Sequence, residues 1–536
     1  MTHVESPVLV VGAGPAGLTS ALLLSRLGIP CRVVERRATP QPAPAAHVVN
    51  ARTFEIFRAA GVDMASIARA AADPADAANV YWVTTLAGEE LGRLPFERQG
   101  DDTLAFTPTP LRHLSQHRLE PILLDAVRAR PDVEVAYGQA WEGATQDDDG
   151  VTSTIRDRAT GDVSEVRSRW LLAADGAASP VRTSLAIEPI GPDRLQSFVM
   201  IHFEANLRPL VGHRPGVLYW TTAPGAVGTF VAHDIDSTWV YMQSWDPDTE
   251  SAADYTEARC TGIVRQAMGT DAHPFTIRTI RTWTMTAQVA ARYRERRMFL
   301  VGDAAHRFPP TGGLGLNTGV QDAHNLAWKI AAVERGWAPV TLLDSYENER
   351  RPVAQRNADV SLTNAMRLVE VYQALGEFGA VPCDGMRAAI ANQAEHFDML
   401  GLQLGFTYES GALARNGDGP ATASSVREFV PNAAPGSRLP HAWVTRDGAR
   451  VSTLDLLADD RFTLVTGPAG RGWMDAPSPL PLAHVVIQRD VADLLGIDAD
   501  GAVLVRPDQH VAWRARHGCP DPAATLAGAI AQILSA

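Results

Sequence analysis

The chain has 536 residues, 46% of them hydrophobic, and a formal charge of -13 from 48 basic and 61 acidic side chains. That length suffices for several domains with sizeable cores, while an acidic surplus without a basic block speaks against nucleic acid or an anionic membrane as partner. Four cysteines without a C-x-x-C offer neither a disulfide scaffold nor a zinc site; no apolar run nears the ~18 residues of a membrane span, and no signal-peptide core is visible, so a cytoplasmic protein is expected.

The first predicted element is Val8 to Val11, short, apolar and β-branched as a buried parallel strand should be. It runs into Gly12-Ala13-Gly14-Pro15-Ala16-Gly17, a helix starting near Pro15, and a second strand, Cys31 to Glu35. Gly12 permits a tight turn, Gly14 lets backbone approach a pyrophosphate, and Gly17 lets the helix pack on the strand. The helix that begins near Pro15 offers its N-terminal amides, from Ala16 onward, and a positive dipole end to phosphate. Glu35, followed by Arg36, stands where a carboxylate accepts from a ribose hydroxyl. Strand, helix, second strand and acid together predict a dinucleotide site.

Further along, His47 sits in a Pro/Ala-rich segment, where a lone histidine is by default a surface or capping residue. The segment Arg169 to Arg182 is a strand stopping at an Asp175-Gly176 turn, where open α/β sheets place ligand-binding groups. From Ile187 to Thr284 the pattern changes to alternating or aromatic runs, predicted as antiparallel strands. Tyr219, Trp220, Phe230 and Tyr241 cluster there, although buried aromatics are more often core than pocket.

A third strand leads to Gly302-Asp303, then Pro309-Pro310-Thr-Gly312-Gly313-Leu-Gly315-Leu316-Asn317 and a helix through Glu334. Its loop delivers a helix N-terminus to whatever Asp303 touches, a second anion site. Pro309 by itself makes a rigid turn. Helical segments continue to about Phe406, a linker is expected over 411–438, and the tail alternates strand and helix to a last helix from Ala523. There is no metal motif, no G-x-S-x-G elbow and no second G-x-G-x-x-G.

These three segments resemble, in order and character, those of the FAD-dependent aromatic hydroxylases, the group A flavoprotein monooxygenases typified by para-hydroxybenzoate and phenol hydroxylases. The resemblance implies an α/β fold: a Rossmann-like FAD-binding domain over 1–78, 105–186 and 285–370, and an inserted antiparallel-sheet substrate domain over 79–104 and 187–284. A helical segment and linker over 371–438 and a thioredoxin-like domain over 439–536 complete it. For FAD it implies Gly12, Gly14, Pro15, Ala16, Gly17, Glu35, Arg36, Arg112, Gln116, Asp175, Gly176, Gly302, Asp303, Gly313, Gly315, Leu316 and Asn317. Among these, Asp303 would take the ribityl chain and Leu316 and Asn317 the flavin pyrimidine.

Pro44-Ala-Ala-His47 through Arg52-Thr-x-Glu55 resembles the P-R-A-H-x-x-x-x-R-T-x-E stretch of the phenol-hydroxylating subgroup, with Ala45 in place of the family arginine. By that resemblance His47 contacts the substrate hydroxyl and favours phenolate, the Pro309 carbonyl faces the reacting oxygen, and Tyr219, Trp220, Phe230 and Tyr241 line the substrate pocket. The implied activity is hydroxylation of a phenolic or related aromatic compound through a C4a-hydroperoxyflavin, with NADH or NADPH as transient reductant and O2 as co-substrate, and the implied assembly is a homodimer. Baeyer-Villiger-type oxygenation of a polycyclic aromatic substrate is the alternative. A flavin halogenase is disfavoured by the absence of G-W-x-W-x-I-P.

Overall fold

The computed structural model describes residues 3–415 and 424–535; part of the expected linker, 416–423, lies outside the described residues. The strands His3–Val11, Cys31–Glu35, Val133–Tyr137, Val163–Ala173 and Met298–Leu300 form a parallel sheet in which His3–Val11 lies between Cys31–Glu35 and Val163–Ala173. Its central residues are apolar and fully buried on both sides, as parallel strands covered by helices must be. Helices Pro15–Arg26 and Leu314–Glu334 cross closely over it. The crossing depends on small residues: a Cβ on Gly319 would lie 3.3 Å from the Ala16 Cβ and 2.9 Å from the Gly302 Cα of the neighbouring loop.

A second sheet has seven strands, Thr276–Met285, Gln196–Glu204, Thr238–Trp245, Gly228–Asp234, Leu218–Thr221, Asn79–Val83 and Glu90–Pro95, in that spatial order. The expectation of an antiparallel sheet needs one correction. Leu218–Thr221 and Asn79–Val83 pair in parallel, because the two come from distant parts of the chain joined by a long crossover rather than a hairpin. Helix Glu257–Met268 covers one face with Tyr81, Ile201, Tyr219, Phe230 and Tyr241 beneath it. On the other face, Val80 and Trp82 pack with Leu368 and Val371 of the long helix Ser345–Phe378 and with Met386 and Ile390.

The tail forms a four-stranded sheet, Ala483–Val486, Thr463–Thr466, Ala502–Val505 and Val511–Ala515, with its first pair parallel and the rest antiparallel. It is joined to the rest by a buried ionic cluster. Arg506 makes a bidentate pair with Glu349 at 2.8 and 2.9 Å, Lys329 Nζ donates to the same carboxylate at 2.8 Å, and Arg506 also pairs with Asp508. Alongside, Arg52 donates to Gln509 at 2.6 Å and Arg438 to Glu55 at 2.7 Å. Among the described residues no helix is long and apolar enough to cross a membrane.

Candidate active site

The first glycine-rich loop forms as expected, and its glycines divide into two kinds. Gly12 has φ +107 and a Cβ there would sit 2.2 Å from the Ala174 carbonyl; one on Gly17 would sit 1.9 Å from that of Gly12. Those positions are closed by protein packing. A Cβ on Gly14 would meet nothing within 4 Å, so the space in front of it is open to a ligand. Pro15 occupies the first turn, followed by Ala16, and no side chain caps the helix.

Glu35 is buried at the end of its strand, where it accepts from the amides of Ala13 and Arg37 at 2.9 and 2.8 Å and from Arg37 Nε at 3.0 Å. Burial raises its pKa, but these donors outweigh that and leave it below the usual carboxylate value. It is held as an ionised acceptor with lone pairs to spare. Arg36 is exposed. The neighbour that sequence reasoning passed over, Arg37, is the one that pairs with Glu35 and Glu120. Gln116 opens helix Gln116–Arg128 and donates to Glu120 at 2.7 Å, while Arg112 is turned onto the carbonyls of Gln99 and Leu111.

Asp175 accepts from the Val181 amide at 3.1 Å through Oδ2, whereas its buried Oδ1 has no partner. Gly176, at φ +85, makes the turn. Arg182 then bridges this turn to the next loop, donating to Ala177 and Ala304 carbonyls at 2.9 and 2.8 Å. Asp303 is surrounded by protein yet keeps exposed surface, as a group facing a deep recess does. No hydrogen bond reaches its carboxylate among the described residues, and burial raises its pKa against the pull of His306 and Arg307. The loop carrying Gly302 and Asp303 is braced from behind: Asp322 accepts from the Gly302 amide at 3.1 Å, from His306 at 2.8 Å and from Arg350 at 2.8 Å. His306 is therefore a brace of the loop.

Gly313 has φ +62, and a Cβ on it would strike Val48 at 2.6 Å. It opens helix Leu314–Glu334 with no side-chain cap. The Asn317 side chain instead takes the Val48 and Gly313 carbonyls and receives the Asn50 amide, tying the helix start to the His47 segment. Gly315 and Leu316 lie in that first turn; a Cβ on Gly315 would be 3.9 Å from the Asp303 carboxylate. Pro309 is buried in the connecting loop. An uncapped amide turn, an unpartnered carboxylate beside it and an open approach at Gly14 fit a bound dinucleotide carrying a flavin.

His47 is placed by main-chain bonds from Leu114 to its own carbonyl and from Gln116 to that of Ala46. Its ring meets others that sequence reasoning did not gather. His47 Nδ1 lies 3.1 Å from His113 Nδ1, His233 is 5.4 Å away between ring centroids, and His117 is 6.3 Å from His233. Burial lowers the pKa of His47 and His233 well below the ordinary value, and that of His113 and His117 to about 4. Burial lowers His202 as well. Among the described residues no His, Cys, Asp and Glu group could hold a metal ion; this is a cluster of neutral imidazoles.

The pocket aromatics require a correction. Side chains alternate faces along a strand, and Tyr219, Phe230 and Tyr241 fall on the face under helix Glu257–Met268, fully buried. Tyr219 donates its hydroxyl to Arg214 and Tyr241 to Ala226, so these three are core. Trp220, one residue out of step with Tyr219, shares the opposite face with Trp82, His202 and His233. It stacks near Trp82 at 6.3 Å and leaves its buried Nε1 unpartnered. A narrow cleft there is lined by Trp82, Trp220, Thr221, Thr222, Leu368, Val371 and Tyr372. The signal available in the sequence was the polar residue on an otherwise apolar strand face, as in Met200-x-His202 and Val231-x-His233.

The fold and these sites together define an FAD-binding α/β flavoprotein. Residues 5–361 match the FAD binding domain family and residues 432–536 the aromatic-ring hydroxylase C-terminal family. The 2,4-dichlorophenol 6-monooxygenase of Delftia acidovorans is 33% identical, over 100% of this chain and 99% of its own. The tetracenomycin B2 monooxygenase-dioxygenase of Streptomyces olivaceus is 36% identical over 100% of both. The crystal structure of the flavin-dependent monooxygenase PieE in complex with FAD and substrate superposes with a TM-score of 0.92 at 36% identity, covering 99% of each chain. The chain belongs to the FAD-dependent aromatic hydroxylases, and FAD is its cofactor.

Proposed function

We propose that this protein hydroxylates a phenolic or related aromatic compound, using NADH or NADPH as reductant and O2 as co-substrate. The observation that carries this reading is His47: a neutral imidazole whose Nε2 has no partner among the described residues, set between the FAD-binding segments and the Trp220 face of the seven-stranded sheet. Relatives named for chlorophenol and polyketide substrates support an aromatic one. When bound, FAD supplies reduction by the nicotinamide and activation of O2. Gly14, Asp175, Asp303 and the first-turn amides at Leu316 and Asn317 would hold it and favour its negatively charged reduced form. His47 Nε2 would accept the substrate hydroxyl proton, pushing electron density into the ring. Low affinity of His47 for a proton keeps it available as an acceptor, and a phenolate beside it would raise that affinity by charge pairing. Pro309 and the apolar sheet face would exclude water.

We assign 79–104 and 187–284 to the substrate side of the molecule, and the tail from 439 to a thioredoxin-like unit of structural role, lacking any C-x-x-C. The test is His47→Ala. It should retain FAD and still be reduced, yet hydroxylate ~10²-fold more slowly near neutral pH, with the deficit shrinking as pH nears the phenol's own pKa of about 10. An ordinary rate, or a deficit indifferent to pH, would return His47 to a structural role.

A further inference from the structure

We propose that His113 is a positioning residue that fixes His47 in the tautomer with its proton on Nδ1, leaving Nε2 as the lone pair that faces the substrate. The proposal rests on the reading of His47 as the proton acceptor and adds to it a second residue.

His113 Nε2 lies 2.8 Å from the Ala232 carbonyl oxygen. A carbonyl can only accept, so His113 Nε2 carries a proton and donates. A neutral imidazole has one N–H, so His113 Nδ1 is then an acceptor. His47 Nδ1, at 3.1 Å from it, must be the donor. His47 Nε2 is left bare, with no partner among the described residues, in a residue that keeps partial exposure. The chain ends at a backbone carbonyl, which cannot take a proton onward. Its effect is therefore to set which nitrogen of His47 is free, the role a second hydrogen bond performs for any catalytic imidazole.

The surroundings keep both rings neutral. Helix Gln116–Arg128 contributes His117 and Arg118, strand Gly228–Asp234 contributes His233 and Asp234, and strand Gln196–Glu204 contributes His202 and Glu204, with Arg278 and Arg281 beyond it. Both carboxylates are already engaged, Asp234 by Arg118 at 2.7 Å and Glu204 by Arg278. Among the described residues these elements offer no uncommitted anion to stabilise an imidazolium, and burial opposes one. The sequence places His113 for this role through the two-residue ladder in which Val48 pairs with His113 and Val49 with Arg112.

Two measurements test it on the holoenzyme. Nitrogen-15 histidine NMR, with His47 assigned by its loss in His47→Gln, should show His47 protonated at Nδ1 and bare at Nε2. His113→Leu should allow the other tautomer to appear. Product formation on mixing reduced holoenzyme with a phenol and O2 should then fall by up to ~10²-fold in His113→Leu, and the His47→Ala, His113→Leu double variant should be no slower than His47→Ala alone. His113→Asn, whose carbonyl oxygen can stand in for Nδ1 and accept from His47, should recover most of the rate. Rescue by leucine instead of asparagine would mean that His113 only fills space. A wild-type His47 protonated at Nε2 overturns the proposal and leaves the His47 reading standing, whereas a normal rate in His47→Ala fails that reading, and the role of His113 with it, whatever the tautomer.

Discussion

The histidine cluster against the seven-stranded sheet and the joint around Glu349 are both polar and both buried, and they avoid the cost of buried charge by opposite routes. In the cluster the groups give up their charge: burial holds His113 and His117 down to about 4 and keeps His47 and His233 well below the ordinary histidine value. In the joint the groups keep it. Burial opposes ionisation of Glu349, yet Arg506 and Lys329 hold it at about 2, and Lys329 itself falls to about 8 through burial against the pull of Glu349. Neutral groups remain free to exchange a proton with a ligand, while matched ions lock the elements that carry them. Chemistry belongs with the first and rigidity with the second.

The most forceful way to break this contrast is Glu349→Gln, which leaves Arg506 and Lys329 buried without their shared anion. The expected cost is about 3–5 kcal/mol, read as a drop in the urea midpoint. Lys329→Met should cost less, because Arg506 keeps Glu349 as partner. A midpoint unchanged in Glu349→Gln would mean that the joint is not a locked ion network.

Asp303 stands between the two cases, an enclosed carboxylate that feels His306 and Arg307 only through space and has no hydrogen bond among the described residues. Its partner should be the ligand. Asp303→Ala should weaken FAD binding to the apoprotein by roughly 1.5–3 kcal/mol without weakening the ligand-free fold, checked by fluorescence titration and by unfolding. Unchanged FAD affinity would remove Asp303 from the site.

The smallest effect sharpens the comparison through pH. For a histidine whose folded pKa is depressed, the unfolded chain binds more protons on the acid side, so stability falls as pH drops from 6.5 toward about 4. Glu349 acts in a lower window, losing its contribution as pH falls from 4.5 toward about 2. The histidine side should therefore loosen first on acidification. His233, with its Nδ1 buried and unpartnered, is the group to remove: His233→Phe should be close to neutral at pH 8 and should cut the slope of stability against pH by about 1.4 kcal/mol per unit near pH 5.5. An unaltered slope would contradict a neutral His233.

The dinucleotide segments were legible because their logic is local. Gly12, Gly14, Gly17 and Glu35 lie within one strand-helix-strand unit, and Gly302 to Asn317 within one loop and helix start, so spacing alone locates the turns and amides. The strands around Phe198, Trp220, Phe230 and Tyr241 were also visible, but not which of their faces looks toward the flavin segments. That depends on helix Glu257–Met268 covering the other side, and grouping neighbouring aromatics without regard to the face each takes put Tyr219, Phe230 and Tyr241 in a pocket with Trp220 instead of in a core. The histidine cluster and the Glu349 joint were illegible for a different reason. His47, His113, His117, His202 and His233 come from four separate segments, and Lys329, Glu349 and Arg506 from three, so only the tertiary fold brings them together.

One brace carries a consequence for exchange between relatives. Arg506 of the tail grips Glu349, and the next residue, Arg350, grips Asp322, which holds the Gly302 amide and His306 behind the flavin loop. A tail grafted from a relative would carry its own residue at the position of Arg506. Unless that residue complements Glu349 and Lys329, the graft would strand their charges inside the protein and slacken the backing of a loop to which, among the described residues, the tail makes no hydrogen bond of its own. The C-terminal unit is thus not a free module: its ancestry is tied to two adjacent residues in the middle of the chain.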